Sequence, residues 1–269
     1  MQSAVEKLRK YRDENYRLHD EVIELWENSL SKRNLSSLGD EKWLILEQVF
    51  KSALHCSQES IASDCLEQLR KQFKSTSHRL STLQAMYYES IDEYNKAEEI
   101  YSILLQNNET DPIIQKRKIC LLKEQNKIHE AISELNSYLE IYQVDQEAWS
   151  ELCDLYLSEH DYAKAAYCAE ELILLNPHNH LSHERYASIC YSQGDYEKAR
   201  IYYFSTIKFN PNNIRALYGI LLTSANIKSR TTIENNNKII MEQILQKYKE
   251  IIPELLPFVD KALQNFLSS

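Results

Sequence analysis

The stretch "EHDYAKAAYCAEELILLNPHNH", residues 159–180, is echoed by "QGDYEKARIYYFSTIKFNPNN", residues 193–213. Asp161 and Asp195, Ala165 and Ala199, and Pro177 and Pro211 are each 34 residues apart. A fixed period of that length belongs to a supersecondary unit that cannot bury its apolar face alone and stacks on copies of itself. The same step back from Ala165 reaches Ala131 in "NKIHEAISEL" and then Ala97 in "EYNKAEEIY"; Ala62 lies 35 residues earlier still. A small residue kept in one register lets the two helices of a hairpin approach closely.

The unit 146–179 carries the fullest pattern. Trp149, Leu152, Cys153 and Tyr156, then Ala165 and Ala169, then Pro177 follow the tetratricopeptide order W-x2-L-G-x2-Y, A-x3-F, P. Cys stands for Gly and Ala for Phe, and both keep an apolar position. Trp149, Leu152 and Tyr156 share one helix face, while Ala165, Ala169 and Leu172 share another. Pro177 ends the second helix, because the residue before a proline is pushed out of the α region. Units at 78–111, 112–145 and 180–213 keep the alanine and part of the rest, and Pro112 suits a helix start.

Composition agrees. Of 269 residues, 43% are hydrophobic, enough for a continuous core, while only 3 Gly and 5 Pro leave little to punctuate strands and hairpins. The expected fold is all-α: a single tetratricopeptide-repeat α-solenoid over 1–269, a right-handed superhelix of helical hairpins. Residues 1–77 form N-terminal capping helices and a degenerate repeat, and 78–213 hold four regular repeats. Residues 214–269 form a degenerate repeat and a closing cap, as solenoid ends require. The polar run "KSRTTIENNN", residues 228–237, is expected as a loop ahead of an amphipathic helix ending near Lys249 and a short helix after Pro253.

The net charge of −9 argues against nucleic acid, whose phosphates need a cationic surface. The run Lys116-Arg117-Lys118 is expected on a solvated helix face. The six cysteines form no C-x-x-C pair, "MQSAVEKLRKYRDENYR" is too charged for a secretory leader, and no apolar run matches a membrane span. A cytoplasmic location follows as an expectation.

Chemistry-bearing patterns are few. His178, His180 and His183 crowd one turn, but no Cys or carboxylate completes a tetrahedral set, so no metal is expected. Phosphate-binding, zinc-protease and nucleophile-elbow motifs are missing. Neither a cofactor nor catalysis is expected. A rival reading is a co-chaperone adaptor gripping a heat-shock protein's C-terminal carboxylate, which needs fixed Lys and Asn donors. Here the Lys slots hold Thr82, Lys116, Ser150 and Glu184, and the Asn slots hold Met86, Cys120, Asp154 and Ser188. The groove positions segregate charge instead: Arg79, Lys116, Arg117 and Lys123, then Glu147, Glu151 and Asp154. Such a groove suits a defined protein segment and orients it.

The wording "DQEAWSELCDLYLSEHDYAKAAYCAEELILLNPHNH", residues 145–180, closely resembles the subunit 2 family of the endoplasmic-reticulum membrane protein complex. "RKYRDEN" (9–15), "LGDEKWLILEQVF" (38–50), "CLEQLRKQF" (65–73), "RKI" (117–119) and "RALYG" (215–219) support it in order. The resemblance implies a non-catalytic scaffold subunit at the cytosolic face of the endoplasmic reticulum, within an insertase for tail-anchored and multipass membrane proteins. It also implies partners: the cytosolic parts of subunits 3 and 5, and the soluble subunit 8 or 9.

Overall fold

The computed structural model describes residues 2–31, 35–74, 77–227 and 233–268, and among these every regular element is helical. The chain divides into two compact units, Met1–Lys127 and Ile128–Ser269.

The period reappears as helix boundaries. First helices begin at His78 (α5, to Ser90), Pro112 (α7, to Glu124), Gln146 (α9, to Ser158), His180 (α11, to Gln193) and Ile214 (α13, to Asn226). Second helices begin at Tyr94 (α6, to Asn107), Ile128 (α8, to Ile141), Tyr162 (α10, to Leu175) and Tyr196 (α12, to Phe209). Both series advance by 34. Local chemistry keeps them in step. Asp111, Asp145, Asn179 and Asn213 each cap a first helix by accepting backbone N–H groups through the side chain. Within each pair the turn residue is left-handed: Asp92 (φ 59°), Asn126 (58°), His160 (58°) and Gly194 (84°). The next N–H then reaches back five residues, as in Asp161 to the Tyr156 carbonyl at 2.9 Å and Asp195 to that of Cys190 at 3.0 Å. This pairing satisfies carbonyls that a helix end would leave bare.

In the first unit, α1 (Gln2–Asp13), α2 (His19–Leu25), α3 (Glu41–His55) and α4 (Glu59–Gln72) precede α5–α7. Between α1 and α2 residues 14–18 leave the helix, and Asn15 takes a positive φ of 52°. A widened π turn at Trp26–Leu30 and a 3-10 turn at Leu35–Leu38 lead into α3. Leu8, Leu30, Ile45, Leu46, Val49 and Phe50 are buried at the centre of this unit.

In the second unit, the predicted signature residues Trp149, Leu152, Cys153, Tyr156, Ala165, Ala169 and Leu172 are all buried. The register alanines Ala97, Ala131, Ala165 and Ala199, and Ala62 before them, have no exposed surface. At α13, Gly219 lies against the Tyr203 ring so closely that a methyl group there would overlap it. The tail is more helical than expected: α14 runs Ile233–Ile251, a 3-10 turn Pro253–Leu255, and α15 Leu256–Ser268. Residues 233–237 of the expected loop therefore belong to α14, and 228–232 lie outside the described residues. Polar residues are no bar to a helix that buries one stripe, here Ile240, Met241 and Ile244. No helix among the described residues is long and apolar enough to cross a membrane.

Candidate functional site

The seven charged positions singled out by sequence all lie on first helices. Arg79 is on α5, and Lys116, Arg117 and Lys123 are on α7 in the first unit; Glu147, Glu151 and Asp154 are on α9 in the second. None is in the core. Arg79, Glu147 and Asp154 are exposed, and the other four are half-buried.

Their partners refine the picture. Arg79 donates to Glu47 at 2.5 and 2.6 Å, and Lys51 reaches the same carboxylate at 2.7 Å. Arg117 is more than a solvated charge. It donates at 2.8 Å to Glu89, whose other oxygen accepts from the Tyr101 hydroxyl at 2.8 Å. Tyr101 is fully buried, so this is an internal polar network. Burial pushes the Glu89 carboxyl above its ordinary range, and the nearby Arg117 guanidinium pulls it back. The run Lys116-Arg117-Lys118 thus departs from the expected solvated face at its central residue.

In the second unit the residue that sequence reasoning missed is Arg185, on α11. It donates to the Ser150 hydroxyl at 2.8 Å, to the Ser150 carbonyl at 3.4 Å, and to Asp154. A signal was available: Arg117, Glu151 and Arg185 share one register, 34 residues apart. Asp154 is therefore neutralised within the unit. Ser150 and Asp154 are also the slots where a carboxylate clamp needs Lys and Asn, and here they serve an internal ion pair.

The three histidines diverge. His183 is buried, with its Nε2 2.9 Å from the Pro177 carbonyl and its ring near Tyr202 and Phe209. His180 meets the Asn210 and Asn213 amides at 3.2 and 3.4 Å, and His178 packs edge-on against Phe209. Among the described residues, no three His, Cys, Asp or Glu side chains are grouped to hold a metal. Cys65, Cys153, Cys168 and Cys190 are buried, and burial pushes the Cys65 and Cys168 thiols up to about 12, far from a reactive thiolate.

Comparison with known proteins agrees with this geometry. The EMC2 TPR-like repeat domain matches residues 66–199. ER membrane protein complex subunit 2-A of Xenopus laevis is 44% identical over 227 residues, covering 83% of this chain and 76% of that protein. ER membrane protein complex subunit 2 of Dictyostelium discoideum is 31% identical, covering 66% of this chain and 60% of that one. Among solved structures, the C-terminal part of a TPR repeat-containing protein from Cytophaga hutchinsonii superposes with a TM-score of 0.62. It covers 90% of this chain and 94% of its own at 14% identity, which speaks to the fold alone. The helix-pair period and the 44% identity lead to one conclusion: the chain belongs to the ER membrane protein complex subunit 2 family.

Proposed function

We propose that the chain is a non-catalytic tetratricopeptide scaffold subunit of an ER membrane protein complex, placed at the cytosolic face of the endoplasmic reticulum. The observation that carries this is the 44% identity to the Xenopus laevis subunit over most of both chains. In this reading the scaffold braces the cytosolic parts of subunits 3 and 5, docks the soluble subunit 8 or 9, and so serves an insertase for tail-anchored and multipass proteins. The charged first-helix positions are its docking residues: Lys116 and Lys123 on α7 within the first unit and, separately, Glu147 and Glu151 on α9 within the second. Such charges orient a partner segment more than they add affinity.

The test reverses Lys116 and Lys123 to Glu in the tagged full chain and measures which complex subunits co-purify. Arg117 is left alone, because a carboxylate beside Glu89 would disturb the Tyr101 network instead of the surface. Partner recovery should fall while helical content by circular dichroism stays unchanged. Losing one side of a desolvated charge pair costs about 2–5 kcal/mol. Recovery of the full complement at raised salt would remove these residues from the docking surface.

A further inference from the structure

Three helices of the first unit build a small apolar socket. α3 supplies Trp43 and Leu44, α4 supplies Leu69 with Phe73 just past its end, and the start of α5 supplies Leu80 and Leu83. The floor of Leu69, Leu80 and Leu83 is buried, so it is preformed. Trp43 and Phe73 meet edge-to-face at 5.4 Å and form a stiff wall. Leu44 and Phe73 remain 37% and 41% exposed, which leaves the mouth open to solvent. The socket's volume is about 120 Å³. That is close to the roughly 150 Å³ of an engineered apolar cavity that takes up benzene.

The rim is cationic. Glu47 is shared by Lys51 and Arg79, and the Lys42 ammonium lies over the Trp43 ring at 4.7 Å. Two cations therefore share one carboxylate at the mouth of an apolar hole, and a third lies over its Trp43 wall. A lipid surface would suit a projecting apolar patch, whereas this one is recessed and has room for a single side chain.

We infer that this socket takes one bulky apolar side chain from a partner segment whose neighbouring residues are acidic. The anchor fills the hole between Trp43, Phe73 and Leu83, and its acidic neighbours lie against Lys42, Lys51 and Arg79. Anchors of this kind, desolvated in a pocket and ringed by polar contacts, carry most of the energy in protein interfaces. The inference deepens the docking reading above and rests on it only for the premise that the chain receives partner segments.

The test uses the purified full chain and fluorescence anisotropy of a short fluorescein-labelled peptide with one leucine among glutamates. Two control peptides carry serine for the leucine, or lysines for the glutamates. Saturable binding of the first peptide is expected, with each control weaker by roughly tenfold or more. Arg79→Glu should weaken binding by a factor that shrinks as salt rises, and Leu44→Asp, at a half-exposed wall, should weaken it at all salt concentrations. An absence of saturable binding, or equal binding of the serine or lysine peptide, overturns the socket. Because the peptide assay needs no other subunit, it separates the two readings. A chain that ignores the peptide yet still loses its partners on reversal of Lys116 and Lys123 refutes the socket and keeps the docking surface.

Discussion

His160 turns the chain between α9 and α10 at φ 58°, where an L side chain crowds the following carbonyl and glycine does not. Its counterpart one period on is Gly194, which closes the same turn with the same backbone hydrogen bond. Replacing His160 with Gly should therefore stabilise the protein by about 1 kcal/mol, read as a higher urea midpoint with an unchanged slope. A second residue-scale effect depends on pH. The His19 ring stacks on His55 at 4.1 Å, and its Nδ1 lies 3.3 Å from the Ser52 hydroxyl. Burial first, then the His55 ring, hold its pKa below the ordinary value; Arg17 adds to this and Asp20 opposes it. A histidine with a depressed folded pKa leaves the unfolded state binding more protons below about 6.5. Stability should thus be full above that value and decline as pH falls through the folded pKa. His19→Gln should flatten this decline in urea titrations across the window; an identical pH slope in the variant would count against it.

The Cys153 thiol on α9 points at the Ala165 carbonyl on α10 at 3.4 Å, and Ala165 has no exposed surface. This is the near-contact that the repeated alanine makes possible, and it sets the scale of a paired-helix element. Ala165→Trp would force the pair apart. Overpacking costs about 1–3 kcal/mol and occasionally more, so a clear drop in thermal midpoint is expected; unchanged stability would mean the helices do not meet there. The pairs were the most legible part of the chain, because alanine, capping Asp or Asn, and Pro each act within a few residues of where they stand. Residues 233–237 were less legible. Asn and Glu there look like a loop by composition, and only burial of Ile240, Met241 and Ile244 shows a helix face.

For the molecule as a whole, the net charge of −9 sets a background against which the basic residues of α5 and α7 stand out. If charge guides docking, association should weaken with ionic strength, since exposed charges are screened beyond roughly 8 Å at physiological salt. A salt series of partner co-purification should show a steep fall for the wild-type chain. The Lys116 and Lys123 reversal should flatten that series; equal slopes in both proteins would assign the contact to apolar surface.

By itself, the sequence determined the helix-pair architecture, the 34-residue period, the alanine register and the family resemblance. It could do so because each signal is local or strictly periodic. Trp149, Leu152 and Tyr156 were placed in the core correctly because helix geometry alone puts them on one face. The partners of the charged residues were decided only in three dimensions. Arg117 finds Glu89 and Arg185 finds Asp154 across neighbouring first helices, 28 and 31 residues away in the chain. Side-chain reach, not the period, selects such partners. The apolar socket is further still from any linear signal. Trp43 and Arg79 sit on different helices and Phe73 just past the end of a third, and their meeting depends on how α3, α4 and α5 pack.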